Sequence, residues 1–259
     1  MISIKQIPVL NDNYIWMINV SEKYTAVVDP AIPEPVIKEL KRNNWKLTHI
    51  LNTHHHSDHT GANIQLKKDS NCKIIGPKAD HDRIPGIDIF LEDQDEFEFG
   101  TEIVKVLDVP GHTKGHIAFH FPESEALFCG DTLFALGCGR VFEGTMEQMW
   151  ESLTKISQLP KQTKIYCAHE YTLANGTFAL TIEPNNEKLK FRMKNIKEKR
   201  NKGISTIPST LEEEIDTNPF LRPDSIEIQE NLSLVGSPLV DIFAKTRQLK
   251  DSFKIIENN

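Results

Sequence analysis

Cysteine is scarce in this chain: four in 259 residues, at positions 72, 129, 138 and 167, with no C-x-x-C pair. That spacing excludes a disulfide scaffold and a cysteine-built zinc finger, and fits reduced thiols in a cytoplasmic protein. Glycine (13) and proline (14) are too few for collagen-like or disordered sequence. No internal repeat or low-complexity tract is present. No apolar run nears the ~20 residues of a membrane span, and the opening MISIKQIPVL, broken at Lys5 and Gln6, lacks a signal-peptide core. Basic excess is missing too. Thirty Lys and Arg stand against thirty-seven Asp and Glu, a formal charge of −7 that argues against a general nucleic-acid or anionic-membrane binder. What remains is 39% hydrophobic residues, ample for a core at this length, and ten histidines.

Short runs rich in Val, Ile, Phe and Tyr, bounded by Gly, Pro, Asn or Asp, predict strands over Ile2–Ile7, Tyr14–Val20, Tyr24–Asp29, His49–Asn52, Lys73–Ile75, Glu102–Val109, His116–Phe121, Ala126–Cys129 and Lys164–Cys167. Helical spacing fits Glu34–Arg42, Thr60–Lys68 and Thr145–Gln158, the last with a Met and Trp stripe suited to core packing. After about Thr172 strand signals nearly vanish. Glu183–Asn201, Thr210–Asp216 and Ser237–Phe253 read as helices, and residues 174–259 carry 13 basic and 13 acidic side chains. The expected organisation is a β-rich domain over 1–172 and a smaller helical one over 173–259.

Chemistry concentrates where strands end. Thr53-His54-His55-His56-Ser57-Asp58-His59-Thr60-Gly61 follows one strand, and a loop there can turn several imidazoles to one point, which a regular strand cannot. Val109-Pro110-Gly111-His112, Cys129-Gly130-Asp131 and Ala168-His169 end three more. A lone strand-end His or Asp is usually a turn residue. Four such sites in one domain point to a metal centre, since imidazole and carboxylate suit a borderline divalent ion. Seven of these ligands suit two ions sharing one carboxylate.

His54-x-His56-x-Asp58-His59 with downstream His112, Asp131 and His169 resembles the metallo-β-lactamase superfamily. THHHSDHTG, PGHTKGH, FCGDTLF, GCGRVFEGT and AHEYT, in this order, are similar to the glyoxalase II (hydroxyacylglutathione hydrolase) family over nearly the whole chain. The resemblance implies an α/β fold, an αββα sandwich with the metals at one edge of two sheets, and a smaller C-terminal helical domain that binds glutathione. It implies one ion on His54, His56 and His112, a second on Asp58, His59 and His169, and Asp131 as the bridge. Zinc is the first choice, with iron or manganese tolerated. His55 would be a neighbour, His116 and His120 structural or supporting, and Asp29 a turn residue or hydrogen-bond acceptor behind a ligand. His49, His81 and the four Cys would have no metal role.

The implied reaction is thioester hydrolysis: S-(2-hydroxyacyl)glutathione, typically S-D-lactoylglutathione, and water give glutathione and D-lactate, the second step of methylglyoxal detoxification. A hydroxide held between two metals would be the nucleophile, with Asp58 orienting its proton. Arg140, Tyr171, Arg247 and Lys250 stand where the family contacts glutathione. Arg247 and Lys250, three apart, share one helix face. Phe142 replaces a Tyr found in some members and gives up its hydroxyl. The expected protein is a cytoplasmic monomer acting on a small molecule, with no nucleic-acid or membrane partner. Alternatives on the same fold are a persulfide dioxygenase with a single iron, a β-lactam or nucleic-acid hydrolase, and a non-catalytic zinc module.

Overall fold

The run Tyr14–Ile18 has no polar face, so a strand built from it needs cover on both sides. The computed structural model, which describes residues 2–254, supplies that cover. Strands β1 (Ser3–Val9), β2 (Asn13–Ser21), β3 (Tyr24–Val28), β4 (His49–Leu51), β5 (Lys73–Pro77) and β6 (Ile89–Leu91) form one sheet in chain order. Trp16 and Ile18 join one core with Phe119 and Phe128. Ile15 and Met17, alternating with them, pack with Val36 and Leu66. These last two belong to α1 (Pro33–Asn43) and to α3 (Asn63–Ser70), which follows the single turn α2 (Ser57–Thr60).

The second sheet faces the first across the Phe119 core. It contains β7 (Glu96–Phe99), β8 (Glu102–Asp108), β9 (Ile117–Phe121) and β10 (Ala126–Gly130), while β11 (Leu133–Phe134) and β12 (Gly137–Cys138) form a separate ribbon. Strand β13 (Lys164–Cys167) and the two-residue β14 (Ser209–Thr210) complete it in the order β14-β13-β10-β9-β8-β7. Helix α4 (Met146–Ser157), closed by a Thr145–Gln148 capping box, adds Met149, Leu153 and Ile156 to that core. The result is the expected αββα layering. Because β3, β4 and β5 run parallel, and β10 and β13 likewise, their carboxyl ends reach one edge of the sandwich. There Tyr14 N donates to Ala168 O (2.7 Å) and Glu170 N to Asp12 O (2.8 Å), clipping the two sheets together.

Helices α5 (Thr172–Ile182), α6 (Glu187–Asn201), α7 (Leu211–Thr217), α8 (Ile226–Asn231) and α9 (Leu239–Ser252) follow. Several expectations need correction. The helix expected over Thr60–Lys68 is two pieces, broken at Gly61, where a Cβ would lie 2.4 Å from Ala31 O. Helix α5 was not anticipated, since Thr, Asn and Gly in TLANGTFALTI are poor helix formers. Tertiary packing holds it: a Cβ on Gly176 would meet the Met193 Sδ at 2.0 Å. The helix expected from Glu183 starts at Glu187, because Asn186 Oδ1 caps it by accepting from Leu189 N. Strands β6, β7, β11, β12 and β14 and helix α8 are likewise additional to those expected, all of them short. Fully buried Glu214 accepts from Leu136 N (2.8 Å) and from the Arg192 guanidinium, docking the helical segment beside the β11–β12 ribbon. Among the described residues no helix is long and apolar enough to cross a membrane.

Candidate metal centre

The turn after β4 lets the histidine run curl rather than alternate. His54 Nε2 and His112 Nε2 lie 3.0 and 3.1 Å from His56 Nδ1, so three ring nitrogens meet. Helix α2 then presents Asp58 and His59 as neighbours, and Asp58 Oδ2 stands 3.3 Å from His59 Nε2 and 3.5 Å from His169 Nε2. Asp131 lies between the groups. Its Oδ2 is 3.4 Å from His112 Nε2, while its Oδ1 is 3.4 Å from His169 Nε2 and 3.6 Å from His59 Nε2. All seven side chains singled out in the sequence thus converge.

Ring orientation is set from behind. Nδ1 of His59 pairs with Asp29 Oδ2 (3.1 Å), Nδ1 of His169 with Asp12 Oδ1 (2.8 Å), Nδ1 of His112 with Arg140 O (2.9 Å), and Nδ1 of His54 with Thr53 Oγ1 (3.0 Å). With those nitrogens as donors, each Nε2 lone pair faces the centre. Asn13 Nδ2 donates to Asp58 Oδ2 at 2.9 Å. Asp29 therefore sits behind a ligand-type imidazole. Asp12, Asn13 and Thr53 were missed, because an N-D-N turn and a strand-end Thr carry no signal beyond the turn. His116 stacks on His54 (4.6 Å, 17°) and its Nε2 accepts from Asp131 N at 3.1 Å. His55 turns away to Asp80, His49 packs edge-on to Phe99, His120 lies on β9 against Lys105, and exposed His81 pairs with Asp82. The four Cys are free and buried.

Electrostatics follow from this packing. Burial, reinforced by neighbouring imidazoles, holds His54 and His116 well below the ordinary histidine range, and burial lowers His56 and His112. Neutral imidazole is the form that binds metal. Burial opposes charge on His59 and His169 too, but Asp131 and the other carboxylates outweigh it and raise both. Burial likewise works against ionised Asp131, yet His59 and His169 keep it well below the usual carboxylate range. The residues fit a divalent cation on one direct observation. His59 Nε2 and Asp131 Oδ1 are buried, and neither has a hydrogen-bond partner among the described residues. A cation satisfies such lone pairs without the cost of leaving them unpaired.

A cleft of about 510 Å³ opens over the cluster, lined by His56, Asp131, Arg140, Phe142, Tyr171 and Lys250 among others. Tyr171 stacks flat on His169 (4.7 Å, 4°), and Phe142 lies 5.2 Å from the His112 ring. Arg247 is buried rather than a solvated cation. Its Nη1 donates to Cys138 O (2.8 Å), its Nη2 to Asp251 (2.9 Å), and its Nε has no partner among the described residues. Burial and then the Arg247 and Arg140 charges lower the Lys250 ammonium. A larger groove of about 730 Å³ between α6 and α7 holds none of the converging imidazoles, so chemistry rather than size selects the site.

The model of the metallo-beta-lactamase superfamily matches residues 10–169, and that of the hydroxyacylglutathione hydrolase C-terminus matches residues 170–253. A hydroxyacylglutathione hydrolase of Methylococcus capsulatus is 52% identical, covering 98% of this chain and 100% of its own. Proteins of the same name from Rhodospirillum rubrum (49%; 97% of this chain, 99% of the relative) and Rippkaea orientalis (50%; 96% and 99%) are similar throughout. Among solved structures, BLEG-1 B3 metallo-beta-lactamase (TM-score 0.65, 22% identity, 85% of this chain and 100% of that one) and ETHE1 from Myxococcus xanthus (0.65, 22%, 95% and 97%) share the fold.

Proposed function

Because the chain belongs to the hydroxyacylglutathione hydrolases of the metallo-beta-lactamase superfamily, we propose that it hydrolyses S-(2-hydroxyacyl)glutathione, S-D-lactoylglutathione first, in the second step of methylglyoxal detoxification. The oxygen of water adds to the thioester carbonyl carbon, the C–S bond breaks, and the departing thiolate takes up a proton, giving D-lactate and glutathione. The observation that carries this reading is Asp131 with one oxygen toward each donor group, beneath a cleft rimmed by cations.

His54, His56 and His112 would hold one divalent ion, and Asp58, His59 and His169 a second, with Asp131 shared; zinc is the first choice, iron and manganese being compatible with the same ligands. Bound there, such ions lower the pKa of water toward about 7 and polarise a carbonyl oxygen. The protein's own groups do the rest. Asp29, Asp12, Thr53 and the Arg140 carbonyl fix the imidazole tautomers. Asp58, ionised and steadied by Asn13, accepts a hydrogen bond from the attacking water and orients it. Arg140, Arg247 and Lys250 supply positive charge for the glutathione carboxylates, and the Tyr171 and Phe142 rings form the walls. Phe142 offers contact but no hydroxyl. On this reading residues 1–172 carry the chemistry and 173–259 complete the carrier pocket. Four free, buried cysteines suit the reducing cytoplasm, where we place the protein as a monomer. A persulfide dioxygenase has less support, since the relatives about 50% identical over nearly the whole chain carry the name hydroxyacylglutathione hydrolase.

The test is thiol release from S-D-lactoylglutathione by metal-restored protein, followed with a chromogenic disulfide. Release that a chelator abolishes is expected, and its absence overturns the proposal.

A further inference from the structure

His55 stands between two ligand-type histidines but points to the opposite flank, where four loops meet. Its Nδ1 pairs with Asp80 Oδ2 at 2.9 Å. The Asp80 carboxylate is fully buried and its other oxygen takes the Arg83 guanidinium. Arg83 then grips Glu143 through both oxygens, Nη1 to Oε1 at 2.5 Å and Nη2 to Oε2 at 3.0 Å, with its Nη1 also 3.2 Å from His55 Nε2. Glu143 Oε2 accepts in addition from Lys114 N at 2.9 Å. The loop bearing His112 closes on the same point: a Cβ on Gly115 would lie 2.3 Å from Asp80 Oδ1.

Glu143 directly follows Phe142 in the segment 139–144, which forms one lip of the cleft. On its inner side that lip is sewn to the His112 loop by backbone, with Phe142 N donating to His112 O (3.3 Å) and Gly144 N to Gly111 O (3.1 Å). On its outer side the Arg83 fork and the Lys114 N–H hold Glu143. An exposed ion pair alone orders little. Here one partner is pinned by a buried carboxylate, and a two-bond fork fixes direction as well as distance.

We infer that the Arg83–Glu143 fork, anchored on Asp80 and His55, sets where Arg140 and Phe142 stand over the cleft, making Arg83 and Glu143 positioning residues for the thiol carrier. The carrier is that of the thioester reading above; the clamp itself rests on geometry alone. Ordering the lip before substrate arrives spares binding the cost of ordering it.

Glu143→Gln keeps the shape and removes the charge, and Arg83→Lys keeps the charge and removes the fork. Hydrogen exchange of the Phe142 and Gly144 amides should quicken about 10-fold in Glu143→Gln, as for one lost charge-assisted hydrogen bond, and less in Arg83→Lys. Metal content should not change. KM for S-D-lactoylglutathione should rise about 5- to 10-fold with kcat within about 2-fold. Unaltered exchange in Glu143→Gln overturns the inference, as does a loss of kcat and metal at constant KM. If the wild-type protein releases no thiol, the functional reading fails while the exchange measurement still decides the clamp.

Discussion

Asp29 holds His59 from behind: its Oδ2 lies 3.1 Å from the imidazole Nδ1 and accepts the Thr53 hydroxyl at 2.6 Å. The residue takes a left-handed backbone (φ 50°), uncommon outside glycine, and its Oδ1 accepts from Thr53 N at 2.8 Å. One carboxylate at the end of β3 thereby fixes both a ligand-type ring and the start of the histidine loop. Asp29→Ala should weaken metal affinity about 10- to 100-fold. Competition against a chromophoric chelator measures this, and an affinity equal to wild type would remove Asp29 from the account.

Asp131 turns one oxygen toward His112 and the other toward His169, and on the two-ion proposal both positions share it. Asp131→Ala should lose metal from both positions rather than one. Elemental analysis after gel filtration decides it, because full retention of both ions is incompatible with a shared carboxylate.

Arg247 is buried at the cleft floor with an unpartnered Nε. Arg247→Ala should raise KM for a glutathione thioester at least about 10-fold, the worth of one charge-assisted contact, and lower kcat less. A thioester of a small uncharged thiol should be little affected. Equal changes on the two substrates would show that Arg247 serves only the fold.

Glu183 links α5, α6 and the 222–225 turn. It accepts from Arg222 Nη2 (2.8 Å), Arg222 Nε (2.9 Å), Asn186 Nδ2 (2.8 Å) and Ser225 Oγ (2.6 Å). Burial opposes its charge, but Arg222 and the two hydrogen-bond donors prevail and hold it below the ordinary glutamate value of 4.5. Its contribution to stability is complete above that value and disappears as pH falls through the lower folded one. The urea midpoint should therefore drop between pH 7 and about pH 3, and Glu183→Gln should flatten part of that drop. A variant with the wild-type slope would contradict the linkage.

Much of the site was legible because its chemistry is written in residue type. His54, His56, Asp58, His59, His112, Asp131 and His169 stand at the ends of strands whose Val- and Ile-rich runs are themselves readable, and parallel pairing of β10 with β13 brings two of those ends together. Features that depend on contacts between distant parts of the chain were not legible. Asp12 looks like any turn aspartate until His169 lands beside it, 157 positions away. Arg83 and Glu143 lie 60 apart with no local pattern joining them. Helix α5 runs against propensity and exists because Gly176 lets Met193 and Leu136 come close. Arg247 resembles one of many solvated helix cations until its burial is seen.

The central claim is that these seven side chains hold two ions rather than one. Metal counted per chain in purified, active protein tests it most directly: two equivalents, removed together with thioesterase activity by chelation, are expected. A single equivalent in fully active protein, or undiminished activity after all metal is gone, would contradict it.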